Sequence, residues 1–271
     1  MVDVYGCTKR GAPGPPGEPG PPGKKGPQGE KGDGLSTLFF SKQLAQWFYE
    51  SLTFSCYFKS ETSGLVFDAG HKPIAIKNQV EEGANAVAMK KVEKMVEIKD
   101  YGYGLTFSKS LYKINRMDWA LGLKSKAIIM FAFKVDAWPQ TLQYIFHTES
   151  GDRSICLKES HLIIQAGKNP EQQVRVDYCE DEWNICYIEF NNYQGELSHY
   201  RINDHEGTFR TEPSTDQTAT VFVGGKDNHY FKGVLARFDF FSNFFEEGEE
   251  FENLPDSVKK SIVKEYYFIV E

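Results

Sequence analysis

What this 271-residue chain lacks excludes several classes of protein. No apolar run exceeds about seven residues (Ala127 to Phe133), whereas a helix needs about 20 to cross a bilayer. Basic residues are in deficit: 31 Lys and Arg against 38 Asp and Glu leave a net charge of −7. A duplex or heparin partner usually demands a basic surplus, so nucleic acid is not an expected partner. No Asn-x-Ser/Thr sequon occurs, and Asn184-Ile-Cys186 is the rare variant inside an apolar stretch, so N-glycosylation is not expected. The five cysteines contain no C-x₂-C pair, which gives zinc no ligand spacing. Aromatics, in contrast, are plentiful. With 21 Phe and 14 Tyr the chain has ample material for a core and is not wholly disordered.

One segment departs sharply from the rest. Glycine stands at Gly11, Gly14, Gly17, Gly20, Gly23, Gly26, Gly29 and Gly32, in strict period three. Proline fills many positions between them, and the period ends at Gly34. This is the pattern of a collagen triple helix, in which three polyproline-II chains wind so closely that only glycine fits the axis. At roughly 3 Å per residue the rod would be about 70 Å long. Pro13, Pro16, Pro19 and Pro22 occupy Y positions and are the hydroxyproline candidates in a secreted chain. A rod this short is expected to need help from the following domain, or from sequence upstream, to hold a homotrimer together.

Cys7 lies four residues before the first of these glycines, where three copies would converge, so it is the candidate for an interchain disulfide. Cys56, Cys156, Cys179 and Cys186 allow three pairings or none, and the sequence does not choose among them. No apolar stretch of 7–15 residues with a cleavage site follows Met1, so no signal peptide is visible. A collagen-like segment nevertheless belongs outside the cell. The expectation is therefore a secreted, extracellular protein whose chain as given is a fragment.

Beyond Gly34 the balance is 26 basic to 34 acidic residues, and the texture is mainly β. Short β-branched and aromatic runs recur between Gly, Asn and Asp turns. They are Leu65–Phe67, Lys126–Val135, Leu142–His147, Ser154–Leu157, His161–Gln165, Val174–Tyr178, Trp183–Phe190, Leu197–Ile202, Thr218–Val223 and Val234–Phe241. Strands in succession without intervening helices predict an antiparallel sandwich. Trp183–Phe190 is apolar on both faces, as a central buried strand would be. Short helices are expected over Ser41–Glu50 and from Pro255 to about Lys264.

Four stretches carry a resemblance: Tyr103–Ser108; Lys126–Val135 with Leu142–Phe146 and Ser154–Leu157; Glu182–Ile188; and Val221–Gly225 with Phe231–Phe240. Together they resemble the laminin G-like, concanavalin A-like lectin fold, a jelly-roll sandwich, over residues 64 to 245. Asn184 departs from that pattern, which often has His there. Gly224-Gly225 suits a tight turn with positive φ, and Gly233 a close backbone approach. The expected order is a stub (1–10), a collagen-like segment (11–34), a connector (35–63), the sandwich (64–245) and an acidic tail (246–271).

Chemistry is sparse. Glycosidases on this jelly roll alternate carboxylates along a strand so that a pair flanks the sugar bond. Glu180-Asp181-Glu182 is instead consecutive and falls at a turn, and no nucleophile elbow occurs. An enzyme is not expected. The resemblance implies a calcium site on sandwich-edge loops, with Glu149–Asp152 and Lys226–Asn228 as the candidate loops. They match no diagnostic motif, so no metal-ligating, catalytic or cofactor-binding residue is assigned and no cofactor is expected. The leading expectation is a trimeric extracellular-matrix or cell-adhesion protein whose heads bind a protein or glycan partner. The alternatives are a soluble calcium-dependent defence lectin and a polysaccharide-active enzyme on the same fold.

Overall fold

The computed structural model describes residues 52–58, 64–80, 84–90, 95–98, 102–115, 126–169, 172–191, 197–212 and 220–242. The collagen-like repeat, Cys7 and the two expected helices lie outside the described residues. Within them every regular element is a strand, and no helix is long and apolar enough to cross a membrane.

Among the described residues nineteen strands form two sheets. The first contains β1 (Leu52–Tyr57), β5 (Met95–Ile98), β6 (Gly102–Phe107), β8 (Lys126–Lys134), β13 (Asn184–Asn191), β14 (Leu197–Ile202), β15 (His205–Arg210) and β19 (Gly233–Ser242). Its order is β15-β14-β13-β8-β19-β6-β5. The second contains β2 (Leu65–Phe67), β3 (Pro73–Ile76), β4 (Ala86–Ala88), β7 (Tyr112–Ile114), β9 (Gln143–Thr148), β10 (Arg153–Lys158), β11 (His161–Ala166), β12 (Gln173–Asp177) and β16 (Val221–Val223). Its order is β12-β11-β10-β9-β16-β7-β4-β3-β2. A small hairpin, β17 (Gly225–Lys226) and β18 (His229–Tyr230), joins this sheet through a parallel contact with β9.

β19 runs antiparallel to β8 on one edge, from Val234 opposite Lys134 to Ser242 opposite Ala127. Its other edge pairs first with β6 and then with β1. β1 thus belongs to the sandwich, although it lies in the stretch (35–63) that the sequence assigned to a connector. The reason is packing: Phe54 is fully buried and stacks on Phe238, with ring centroids 5.4 Å apart. β13 is buried at every position, as its two apolar faces required. Gly233 sits where a Cβ would come within 2.4 Å of the Lys134 carbonyl oxygen, which accounts for a glycine at the start of β19.

The two sheets are joined by aromatic rings. Phe146 of the second sheet lies 5.1 Å from Phe131, 5.8 Å from Phe238 and 5.5 Å from Phe240, all in the first. Edge-to-face and tilted pairs of this kind add to the energy of burial itself. Cys56 and Cys186 belong to this core, Cys156 is buried, Cys179 is exposed, and all four are free thiols.

Asn184 has a structural role of its own. It is fully buried, and its Oδ1 accepts the Cys179 N–H (2.9 Å) and the Asn203 side-chain amide (3.0 Å). Its Nδ2 donates to the carbonyls of Cys179 (2.7 Å) and Glu182 (3.1 Å). An amide can donate and accept at once, and here it closes the turn ahead of β13. Asp239, also fully buried, is pushed up to about 6 by burial, with Arg237 pulling the other way across a 2.8 Å ion pair.

Phe146→Ala should open a cavity between the sheets and lower the unfolding free energy by about 3–5 kcal/mol. Urea denaturation of wild type and variant measures this, and a loss below about 1 kcal/mol would mean that the ring does not bridge the sheets.

Candidate functional site

An open cleft of ≈ 490 Å³ lies where the turn after β6, the end of β4, the start of β9 and the β17–β18 hairpin meet. The hairpin is built by local chemistry. Asp227 and Asn228, its two central residues, have φ of 47° and 70°. That is the left-handed geometry of a two-residue turn, which Asp and Asn tolerate better than other side chains. Gly224, with φ 98°, anchors it: its N–H donates to Ile145 O (2.8 Å) and its carbonyl accepts the Phe231 N–H (2.9 Å). Any Cβ there would lie 2.6 Å from the Phe107 ring and 2.8 Å from the Ser110 carbonyl oxygen.

The cleft wall is cationic and polar. Lys90, Lys109 and Lys232 line it with His229, and among the described residues no carboxylate does. Tyr230 forms an aromatic side. The Lys90 ammonium donates to the Tyr230 hydroxyl and lies 4.6 Å from the ring centroid. His229 is oriented by its Nδ1, which donates to Leu142 O at 3.1 Å. The buried Gln143 accepts the Lys232 N–H through Oε1 at 2.9 Å. Ser108, Thr141 and Asn228 add hydroxyl and amide groups. A chain with a net negative charge therefore presents a locally positive cleft.

The outer face of the second sheet continues this character. Lys226 lies 5.4 Å above the Tyr144 ring, and Tyr144 meets His147 edge-on at 5.9 Å. His147 stacks on Phe222 at 4.8 Å, and Lys113 caps Phe222 at 5.7 Å. His147 has both ring nitrogens against carbonyl oxygens, Nδ1 at Thr148 and Nε2 at Gly225, each 2.9 Å away. Two acceptors favour the doubly protonated ring, but burial opposes it and prevails, lowering the pKa below the usual 6.5.

The two candidate calcium loops do come together, but around an ammonium group. A Cβ on Gly151 would lie 2.7 Å from Lys226 Nζ. Asp152 is buried and engaged by the hydroxyls of Thr148 (2.9 Å) and Ser150 (2.6 Å). Among the described residues no group of three or more His, Cys, Asp or Glu is placed to hold a metal. Glu180, Asp181 and Glu182 are exposed on the turn between β12 and β13 and do not line the cleft. Asp181 pairs with Lys134 at 2.8 Å, while Glu180 accepts the Trp138 N–H at 3.2 Å. Nothing in the sequence singles out Lys90, Lys109 and Lys232, because they are far apart in the chain and only the sheet order brings them together.

No protein-family model matches the chain, and no curated protein matches its sequence. Solved structures do resemble it. One is the binding domain of botulinum neurotoxin DC in complex with rat synaptotagmin II, with 14% identity and a TM-score of 0.55 over 80% of this chain and 52% of that one. Another is a botulinum neurotoxin type C structure, described by the dependence of cell entry on two ganglioside molecules, with 10% identity, a TM-score of 0.54 and coverage of 83% and 53%. A third is the neurotoxin DC binding domain in complex with SialylT, with 13% identity, a TM-score of 0.53 and coverage of 80% and 52%. The chain spans about half the length of these solved chains. At such identities the likeness is one of fold: a jelly-roll-like sandwich also found in receptor-binding domains.

The depressed pKa of His147 makes a signed prediction. The unfolded chain takes up this proton more readily, so the stability that the neutral ring contributes is present above about pH 6.5 and is lost as pH falls from there through the lower pKa of the folded state. An NMR titration of the ring should find its midpoint below 6.5; a midpoint above it would mean that the two carbonyls outweigh burial.

Proposed function

We propose that the chain is a secreted, non-enzymatic binding protein in which a collagen-like stalk gathers three sandwich heads, each taking a glycan or protein partner. The rim cleft is the observation that carries this reading: polar, cationic and aromatic groups from four separate loops converge on one side of a rigid sandwich. Clefts of this size suit small polar ligands or the end of a larger one. The solved structures of similar fold are domains described as binding a protein or ganglioside partner, which supports a binding role. The period-three glycines of residues 11–32 support the stalk. Three heads on one rod turn weak single contacts into strong attachment. Neither alternative gains a supporting observation, since Lys226 fills the junction of the candidate calcium loops and Glu180–Glu182 face solvent.

The test uses the full chain from a secreting host, by light scattering with and without reductant and then on arrays of glycans and extracellular proteins. The expected mass is near three chains of 30.9 kDa, with covalently linked subunits separating on denaturing gels after reduction, and saturable array binding that survives a chelator. A monomer would remove the stalk from the account. Polysaccharide turnover that Glu180→Gln or Glu182→Gln abolishes would replace binding with catalysis.

A further inference from the structure

Resting on that binding reading, the geometry points to a carboxylate-bearing sugar ring, a uronic or sialic acid, as the ligand of the rim cleft. Charge sets the first part of the argument. Lys90, Lys109 and Lys232 converge on the cleft and no carboxylate among the described residues lines it, so an anion is favoured there. Yet the whole chain carries −7, and that long-range field repels a densely charged polymer. Over the roughly 8 Å reach of unscreened charge at physiological salt, the local lysines dominate. A ligand with one negative charge on an otherwise neutral ring satisfies both conditions; a polysulfated chain satisfies only the first.

The lining supplies the second part. Tyr230 forms one wall, and its ring lies across Gly225, where a Cβ would come within 2.5 Å of Tyr230 Cδ1. Small size at position 225 thus fixes the aromatic wall in place. A sugar ring offers an apolar C–H face to such a wall and hydroxyls at its edge. Around that edge stand Ser108, Thr141 and Asn228, which donate and accept as sugar hydroxyls do. His229 is held by Leu142 O and Lys232 by Gln143 through its backbone, so much of the site is set before any ligand arrives. The cleft volume, ≈ 490 Å³, lies within the range of small-ligand sites.

The experiment is calorimetric titration of the full chain with glucuronic acid and N-acetylneuraminic acid, with glucose, acetate and inorganic sulfate as comparisons. At least one acid sugar should bind saturably, and the three comparisons at least about tenfold more weakly. Glucuronic against N-acetylneuraminic acid distinguishes a uronic residue from a sialic one. Lys109→Gln and Lys232→Gln, at exposed positions, should each weaken the acid sugar roughly tenfold, the usual scale for a lost charge-assisted contact. Tyr230→Ala should reduce it to the level of acetate. Acetate or sulfate binding as tightly as the acid sugars would leave an anion site without sugar recognition and overturn the inference. Glucose binding equally well, with the lysine variants unaffected, would overturn the charge argument and leave the binding reading standing. No response to any probe, while the arrays find a partner, would remove this cleft as the site. No response in either experiment would remove the binding reading itself.

Discussion

The ring of Phe146 stands among Phe131, Phe238 and Phe240, and the two sheets share one core through it. Three phenylalanines on adjacent strands of the first sheet make a socket, and one from the second sheet fills it. The socket exists only because β19 lies hydrogen-bonded beside β8 with Phe238 opposite Phe131 and Phe240 opposite Ile129. A shift of one residue would turn Phe238 and Phe240 outward and bring Asp239 into the core. The register of one strand pair therefore decides whether the sandwich closes.

From this closure the rim inherits its geometry. β9 carries Phe146 into the core and, at its beginning, Gln143 into the cleft. β19 carries Phe238 and Phe240 and is preceded directly by Lys232. The β17–β18 hairpin is tied to β9 through Gly224 and His147. Loops usually carry function because a scaffold holds them still, and here the scaffold strands run straight into the site.

The strands most legible in the sequence were those buried on both faces. β8, β13 and β19 announce themselves as long β-branched and aromatic runs because residues on both of their faces are buried. β3, β4, β5 and β7 gave no such signal: they are three or four residues long, and partly exposed residues such as Ile74, Val87 and Val96 break any alternation. β15 reads His-Glu-Gly-Thr-Phe-Arg, a solvent-facing edge whose one inward residue is Phe209. Gly224 was legible as a position of positive φ, which few other residues adopt, but Gly225 begins β17 and the tight turn falls at Asp227-Asn228. The cleft was not legible. Lys90 and Tyr230 are 140 residues apart, and charge averaged over an acidic chain concealed a local surplus of opposite sign.

Hydrogen exchange of the intact chain tests most directly whether this shared core is the unit on which the rim stands. The amides of β19 from Leu235 to Phe241 should exchange only through global unfolding, with the same free energy as those of β8 and β9. Release of β9 at a distinctly lower free energy than β8 and β19 would contradict the account, because the sheets would then part without unfolding the core.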